Sequence, residues 1–454
     1  MLESIDHERV LPSGVFMKSE LLTPVENNAG ANMVHASSPI DADVIRPLGT
    51  MERCLWLLDQ THRIHFSVAA EIEGSSTLTS WRSALDAVQR RHPFFSVCID
   101  KDDESNPCFR RVAGTQIPLR VVDTIDAEPQ WEREIESELS TRFDPKQAPL
   151  IRAVLLRQPN KSMLILTAHH SIGDGISMAF AIRDTLRALS GEKLDTLPPL
   201  PSMEELLGMP QTPPARPVSK TALGTGGERV AATTDNNTGS TPRVKGLRLS
   251  TELTSKLLAR SRQERTTLHG ALCAALVAAG RQVFSAWKNP IRIHSSVDAR
   301  RLLQLGDNYM QLAFGGIVAV NPDTMADFWD IARFMKSGLA AAQSVAGVTA
   351  GLGRLNDLLL QGLDSHTLSQ VAKEANAHEA TLTNLGNLPF DTRFGDLKLT
   401  SMWGPAIELD GENGQTVGAA TANGSLCLLY TSSSPIPSLL QVMEQFLVAA
   451  CNPA

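Results

Sequence analysis

The chain has 454 residues, more than one hydrophobic core ordinarily supports, so two domains or lobes are expected. Hydrophobic residues make up 42% and charged residues 20%, the balance of a folded, enzyme-sized protein with disorder confined to local segments. A net charge of −7 without a long Lys/Arg cluster argues against nucleic acid or an anionic membrane surface as partner.

Residues 1–44 mix polar residues with Gly, Asn and Pro and carry no sustained periodicity, which predicts a flexible N-terminal arm. Beyond Arg46-Pro47-Leu48-Gly49 the pattern alternates between strand and helix. His65 to Ile72 reads as a strand. Thr79 to Arg91, with Trp81, Leu85 and Val88 on one side and His92-Pro93 as its stop, reads as a helix. Phe94 to Ile99 and Arg110 to Val112 are strand-like, and Pro129 to Arg142 is an amphipathic helix. Leu150 to Arg157 and Ser162 to Ala168 read as strands, the second so apolar that it belongs at the centre of a sheet. Asp174 to Leu189 forms a helix ended by Gly191.

Residues 196–245 are rich in Pro and then in Gly, Thr and Asn, and predict a crossover linker between an N-terminal lobe (45–195) and a C-terminal lobe (246–454). In the second half Thr251 to Arg265, Thr267 to Trp287, Asp327 to Ala342 and Ser438 to Ala449 read as helices. Ile291 to Val297, Phe314 to Val320 and Ser425 to Tyr430 read as strands. Fold class is therefore mixed α/β, and repeats of 20 to 50 residues are absent.

The six cysteines (Cys54, Cys98, Cys108, Cys273, Cys427, Cys451) are scattered and form no C-x-x-C pair, which predicts buried free thiols in a reducing compartment and no structural zinc. The segment Met1-Leu2-Glu3-Ser4-Ile5-Asp6 lacks the basic and apolar regions of a secretory signal. The longest apolar run, Leu268 to Gly280, is too short to span a bilayer and contains His269. The expected location is the cytoplasm.

One stretch carries chemistry. Leu164-Ile165-Leu166-Thr167-Ala168 leads into His169-His170-Ser171-Ile172-Gly173-Asp174-Gly175, so an apolar strand ends in two histidines, a short loop follows, and a helix opens at Asp174. Adjacent strand residues face opposite sides, so only one histidine can face a given cleft. Each residue also has a plain reading: Asp174 as a helix N-cap, a histidine as a satisfied polar side chain at a strand end. A metal site would need a third ligand, and none is evident. Gly175-Ile176-Ser177-Met178-Ala179 lacks the second glycine of a nucleophile elbow, which argues against a serine hydrolase.

The combination His-His-x-x-x-Asp-Gly resembles the signature of the thioester-dependent acyltransferase superfamily. That superfamily includes chloramphenicol acetyltransferase, plant alcohol acyltransferases, condensation domains of nonribosomal peptide synthetases and polyketide-associated acyltransferases. Further segments resemble elements of such proteins: Arg90-Arg91-His92-Pro93, Phe143-Asp144 with Pro149-Leu150-Ile151-Arg152, Ser296-Val297-Asp298-Ala299-Arg300-Arg301 with Gly306-Asp307-Asn308, and Thr383-Asn384-Leu385-Gly386. Coverage is roughly residues 46–450. The Asp-Phe-Gly-Trp-Gly element of the plant branch is not evident, which argues against that branch.

The resemblance implies two chloramphenicol-acetyltransferase-like lobes forming a V around a central channel, with donor and acceptor entering from opposite mouths. It implies His170 as general base, His169 packed into the fold, and Asp174 pointing away from substrate to pair with an arginine, for which Arg300 is the candidate. Gly173 and Gly175 would allow a tight turn and close backbone approach. Asn384, or a backbone N–H of the Asn384-Leu385-Gly386 turn, is a candidate oxyanion or substrate contact; the same residues read equally well as a turn closing a strand. No permanently bound cofactor is implied, and the co-substrate is an acyl-CoA or acyl-carrier-protein thioester. The acceptor is a small-molecule alcohol or amine, in secondary metabolism, and a monomer is expected. Two other readings stand beside this one: a free-standing amide-forming condensation enzyme, and a non-catalytic recruitment platform. The absence of an attached carrier or adenylation domain favours acyl transfer over the first, and the intact His170 and Asp174 argue against the second.

Overall fold

Two six-stranded mixed sheets and one three-stranded sheet carry the fold of the computed structural model, which describes residues 43–102, 106–123, 130–210, 241–325, 327–408 and 414–452. Nearly all of the expected arm and the core of the crossover lie outside the described residues.

The first half runs through β1 (Val44–Pro47), α1 (Thr50–Asp59), β2 (His65–Glu73), α2 (Leu78–Arg91), β3 (Val97–Lys101) and β4 (Pro107–Arg111). It continues with β5 (Leu119–Asp123), α3 (Gln130–Ser140), β6 (Ile151–Gln158), β7 (Lys161–His169), α4 (Gly175–Leu189) and the short α5 (Met203–Leu206). In the second half β8 (Arg243–Arg248), α6 (Thr251–Gln263), α7 (Leu268–Val283), β9 (Ile291–Asp298) and β10 (Ala313–Val320) precede α8 (Phe328–Gly338), α9 (Val345–Leu360) and α10 (Ser365–Ala375). Then come β11 (Ala380–Asn387), β12 (Arg393–Phe394), β13 (Leu397–Ile407), β14 (Thr416–Ala422), β15 (Ser425–Ser432) and α11 (Leu439–Cys451).

The first sheet has the order β12-β13-β2-β7-β6-β5. Its central strand β7 is buried on both faces, which explains its unbroken apolar sequence. The two-residue period divides the strand cleanly. Leu164 and Leu166 join Trp81, Leu85, Ile182 and Leu186 under α2 and α4, while Met163 and Ile165 join Trp131, Ile135 and Leu139 under α3. The second sheet, β10-β9-β11-β14-β15-β8, is covered by α7, whose residues Ala271 to Val277 are buried against Ile293, Leu382, Val417 and Leu426.

The first sheet is not built from the first half alone. β13 pairs antiparallel with β2, Met402 opposite Ala70 and Ile407 opposite Phe66, and brings β12 with it. The boundary expected between lobes at 196–245 therefore does not divide the sheets, because a strand 150 residues beyond that linker completes the first one. Hydrophobic pattern marks a buried strand; it does not say which edge the strand will join. The linker bounds also shift: β8 begins at Arg243, and Leu197 N–H donates to Arg91 O at 2.9 Å, tying the first part of the crossover to the first lobe.

The back of the two lobes is locked by large side chains. Trp403 of β13 stacks at 4.9 Å from Trp131 of α3, Gly246 N–H of β8 donates to Glu132 of α3 at 2.8 Å, and Arg248 bonds Glu71 and Ser401. No helix among the described residues is long and apolar enough to cross a membrane. The six cysteines are free, and burial pushes the thiols of Cys54, Cys273 and Cys427 up to about 12, which suits packing and not nucleophilic use.

Without β13, β2 would present an open apolar edge. Residues 43–210 expressed alone should therefore show no cooperative transition in a circular-dichroism melt, and should regain one when residues 241–452 are supplied in trans. A cooperative transition in the isolated fragment would mean that β13 is dispensable for the first sheet.

Candidate active site

β7 ends at His169, and the alternation of the strand sends the two histidines to opposite sides. His169 is fully buried in the first lobe. Its Nδ1 accepts from Ser171 N–H at 3.2 Å, and its Nε2 lies 3.5 Å from Asp59 Oδ2. Burial alone would raise the Asp59 pKa, but His169 and the Ile64 N–H together hold it below its ordinary value.

His170 faces the other way. Its Nδ1 is 2.8 Å from Gly173 O, and its ring lies 4.8 Å from that of Phe66. A carbonyl can only accept, so Nδ1 carries the hydrogen and Nε2 keeps its lone pair. Burial pushes the pKa of His170 down, and the Gly173 carbonyl and Asp174 oppose this only in part. The imidazole is therefore neutral at physiological pH.

Asp174 is both N-cap and ion-pair partner. One carboxylate oxygen accepts from Ser177 N–H at 2.8 Å, opening α4, while the other accepts from Leu312 N–H at 2.8 Å and Arg300 Nη1 at 2.9 Å. Burial raises its pKa, but the Arg300 guanidinium outweighs that and holds the carboxyl ionised. Arg300 follows β9 directly. It also donates to Asp298 Oδ1 at 2.8 Å, to Met310 O at 3.1 Å and to the Ser177 hydroxyl, which itself donates to Met310 O at 2.7 Å. The loop after His170 is thus fastened from the first lobe to the second.

Two glycines make room for this closure. A Cβ on Gly173 would sit 2.3 Å from the ring of Tyr309, and one on Gly175 would sit 2.5 Å from Pro405 and 2.7 Å from Leu385. Arg91 and His92 lie in a separate buried cluster around Asp184 of α4, with Arg91 Nε at 2.7 Å and His92 Nε2 at 3.0 Å.

His170 lines a cleft of about 60 Å³, room for a few water-sized groups, whose walls come from both lobes. Phe66 of β2, Gly175 and Ile176 of α4, and Pro405 and Ile407 of β13 form one side; Ser296, Val297 and Asp298 of β9, Ala313 of β10, and Thr381 to Leu385 of β11, Leu382 excepted, form the other. The ring is partly exposed there and not sealed inside the first lobe. Asn384 lines the same cleft, with Oδ1 accepting from Gly386 N–H at 2.8 Å. Gly386 does not line it; at φ +74° it turns the chain where the β11 register slips. Among the described residues no three His, Cys, Asp or Glu side chains are placed to hold a metal.

Ser296, Asp298 and Thr383 were not among the sequence candidates. Their signal was their place in the segments Ser296-Val297-Asp298-Ala299-Arg300-Arg301 and Thr383-Asn384-Leu385-Gly386, to which no role was given at these positions; on β9 the even positions are half-buried and the odd ones buried. Ser177, whose hydroxyl joins Arg300 to Met310, carried no signal beyond its place in the first turn of a helix.

Residues 52–204 match the condensation domain family, and residues 238–422 match a family described as phthiocerol/phthiodiolone dimycocerosyl transferase C-terminus. Among solved structures, polyketide synthase associated protein 5 from Mycobacterium tuberculosis aligns with a TM-score of 0.60 at 18% identity, covering 90% of this chain and 98% of that one. The first condensation domain of the CDA synthetase aligns at 0.64 with 14% identity over 91% and 98% of the two chains. Trichothecene 15-O-acetyltransferase from Fusarium sporotrichioides aligns at 0.59 with 14% identity over 89% and 94%.

Curated relatives include surfactin synthase subunit 2 of Bacillus subtilis, 26% identical over 180 residues, which are 38% of this chain and 5% of that protein. Phosphinothricin tripeptide synthetase of Streptomyces viridochromogenes is 29% identical over 175 residues, 36% of this chain and 16% of that protein. The chain spans only these small fractions of the curated relatives it matches. The two family matches lie end to end on this two-lobed fold, and the fold is the one shared by these solved condensation domains and acyltransferases.

Removing one side of a buried ion pair strands the other charge. Arg300→Met should therefore lower unfolding free energy by about 3–5 kcal/mol in a urea titration. Combined with Asp174→Asn it should be non-additive by about 1 kcal/mol or more, and strict additivity would dissolve the pair as an energetic unit.

Proposed function

We propose that the chain transfers an acyl group from a coenzyme A or carrier-protein thioester to a hydroxyl or amine, with His170 as general base. The observation that carries this is the His170 ring itself: Nδ1 is pinned to Gly173 O, and a neutral Nε2 is turned into a cleft walled by both lobes. The acceptor O–H or N–H gives its proton to Nε2 as the oxygen or nitrogen attacks the thioester carbon. The oxyanion that forms needs a donor; Asn384, whose Oδ1 is occupied by Gly386 N–H, has its Nδ2 hydrogens for that purpose. Collapse breaks the carbon–sulfur bond, and the imidazolium returns the proton to the leaving thiolate, so no covalent acyl-enzyme is required.

Asp174 takes no direct part in this scheme, because its oxygens are already engaged by Ser177, Leu312 and Arg300. It fixes the loop from which His170 acts. The thioester is a co-substrate and not a resident cofactor, and the acceptor is a small molecule of secondary metabolism, handled by a monomer in the cytoplasm. Amide formation between carrier-bound groups is the second reading, favoured by the condensation-domain match over 52–204 and by the peptide-synthetase relatives. It uses the same base on an amine. Matched alcohol and amine acceptors offered to one thioester donor separate the two.

His170→Ala should lower transfer by at least about a hundredfold while the melting curve is kept; a folded variant with wild-type turnover would remove His170 from the mechanism. Because the working form is the neutral base and its pKa is pushed down by burial, activity should persist into mildly acidic solution. The acid limb of the kcat/KM profile should have its midpoint below 6.5, the ordinary value for histidine. A midpoint above 7 would contradict a desolvated base.

A further inference from the structure

The wall facing His170 is chemically lopsided. On the β2, α4 and β13 side it offers Phe66, Ile176, Pro405 and Ile407; on the β9, β10 and β11 side the polar groups of Ser296, Asp298, Thr383 and Asn384 stand among Val297, Ala313 and Leu385. Ser296 and Asp298 are two apart on β9 and so share its half-buried face. Among the described residues nothing within the chain bonds Asp298 Oδ2 or the hydroxyls of Ser296 and Thr383.

Asp298 is not simply a second counter-ion for Arg300. Its Oδ1 accepts from Arg300 N–H at 3.1 Å and from Nη1 at 2.8 Å, but that same Nη1 is already bonded to Asp174. A forked pairing would have engaged both carboxylate oxygens of Asp298. Instead Nε is buried without a partner, and Oδ2 is left to the cleft. Two carboxylates share one guanidinium, an excess of one negative charge beside the reaction centre. Burial pushes the Asp298 pKa up, although Arg300 opposes it, as expected for a carboxylate short of donors.

We infer that Asp298 is a specificity residue for the acceptor, and that the acceptor is a polyol or amino alcohol whose second hydroxyl or ammonium donates to Asp298 Oδ2 while its nucleophile faces His170. This rests on the acyl-transfer reading for what the acceptor is, but the contact itself is one of binding. Ser296 and Thr383 supply further hydroxyl partners on the same wall, and the apolar wall opposite takes hydrocarbon. A simple monohydric alcohol would leave Oδ2 unpaired as it displaced water from the cleft.

Ligand-observed NMR on the full chain without any donor tests this, with 1-hexanol, 1,2-hexanediol, 1,3-hexanediol and 2-amino-1-hexanol as probes. The native protein should bind at least one bifunctional probe about tenfold more tightly than 1-hexanol. Asp298→Asn, which keeps the Oδ1 acceptor for Arg300 but turns the free oxygen into a donor, should bring the ratio for 2-amino-1-hexanol, whose ammonium can only donate, to within about twofold of one. Asp298→Ala should do so for every bifunctional probe. Equal binding of all four probes by the native protein, or a preference that survives in Asp298→Ala, overturns the inference. The measurement needs no turnover, so a failure of the His170 mechanism and a failure of this contact give different results.

Discussion

A single buried guanidinium holds this site together. Arg300, on the second lobe, reaches Asp174 at the first turn of α4 on the first lobe, and bonds Asp298, Ser177 and Met310 as well. Both partners are almost fully buried, where an unpaired charge would be costly, so the loop after His170 and the two lobes are fixed by one condition. The geometry of the histidine follows. Gly173 O can engage Nδ1 only because the turn is tight, and the turn is tight because Asp174 is anchored and Tyr309 fills the space a side chain at position 173 would need.

The two adjacent histidines at the end of β7 lie in different surroundings. His169 belongs to the first lobe, with Asp59 and Ser171 around it, and His170 to the cleft. The same strand alternation that makes β7 a core strand on both faces makes this division unavoidable. The second-lobe wall shows the same alternation: β9 buries Ile293, Ser295 and Val297 and leaves Ser296 and Asp298 half-buried at the cleft that His170 lines. Packing and chemistry are thus interleaved residue by residue along two strands.

Much of this was legible in the sequence. β2, α2, β6, β7 and α4 were visible because their periods were strong and their ends carried stop or cap residues such as His92-Pro93 and Asp174. The motif placed His170 and Asp174 next to one another, and it singled out Arg300, which the fold sets 2.9 Å from Asp174. What was not legible depended on distant partners. Helices α1, α5, α9 and α10 and strands β1, β5, β8 and β11 to β14 were passed over. Met402, Trp403 and Ile407 look like a strand only once β2 and α3 are in place beside them. The setting of Asp298 was hidden likewise, since it depends on a guanidinium that another carboxylate also bonds.

The excursion of β13 into the first sheet also governs how the molecule can breathe. A cleft with room for only a few water-sized groups around His170 has to widen before anything larger can reach the ring. In a protein whose lobes met only through a tether, that widening would be a free swing. Here Leu397 to Ile407 pairs with β2 and also lies against β14 of the other sheet, so the strand belongs to both bodies. Widening the cleft then strains a paired strand and not merely a connecting tether.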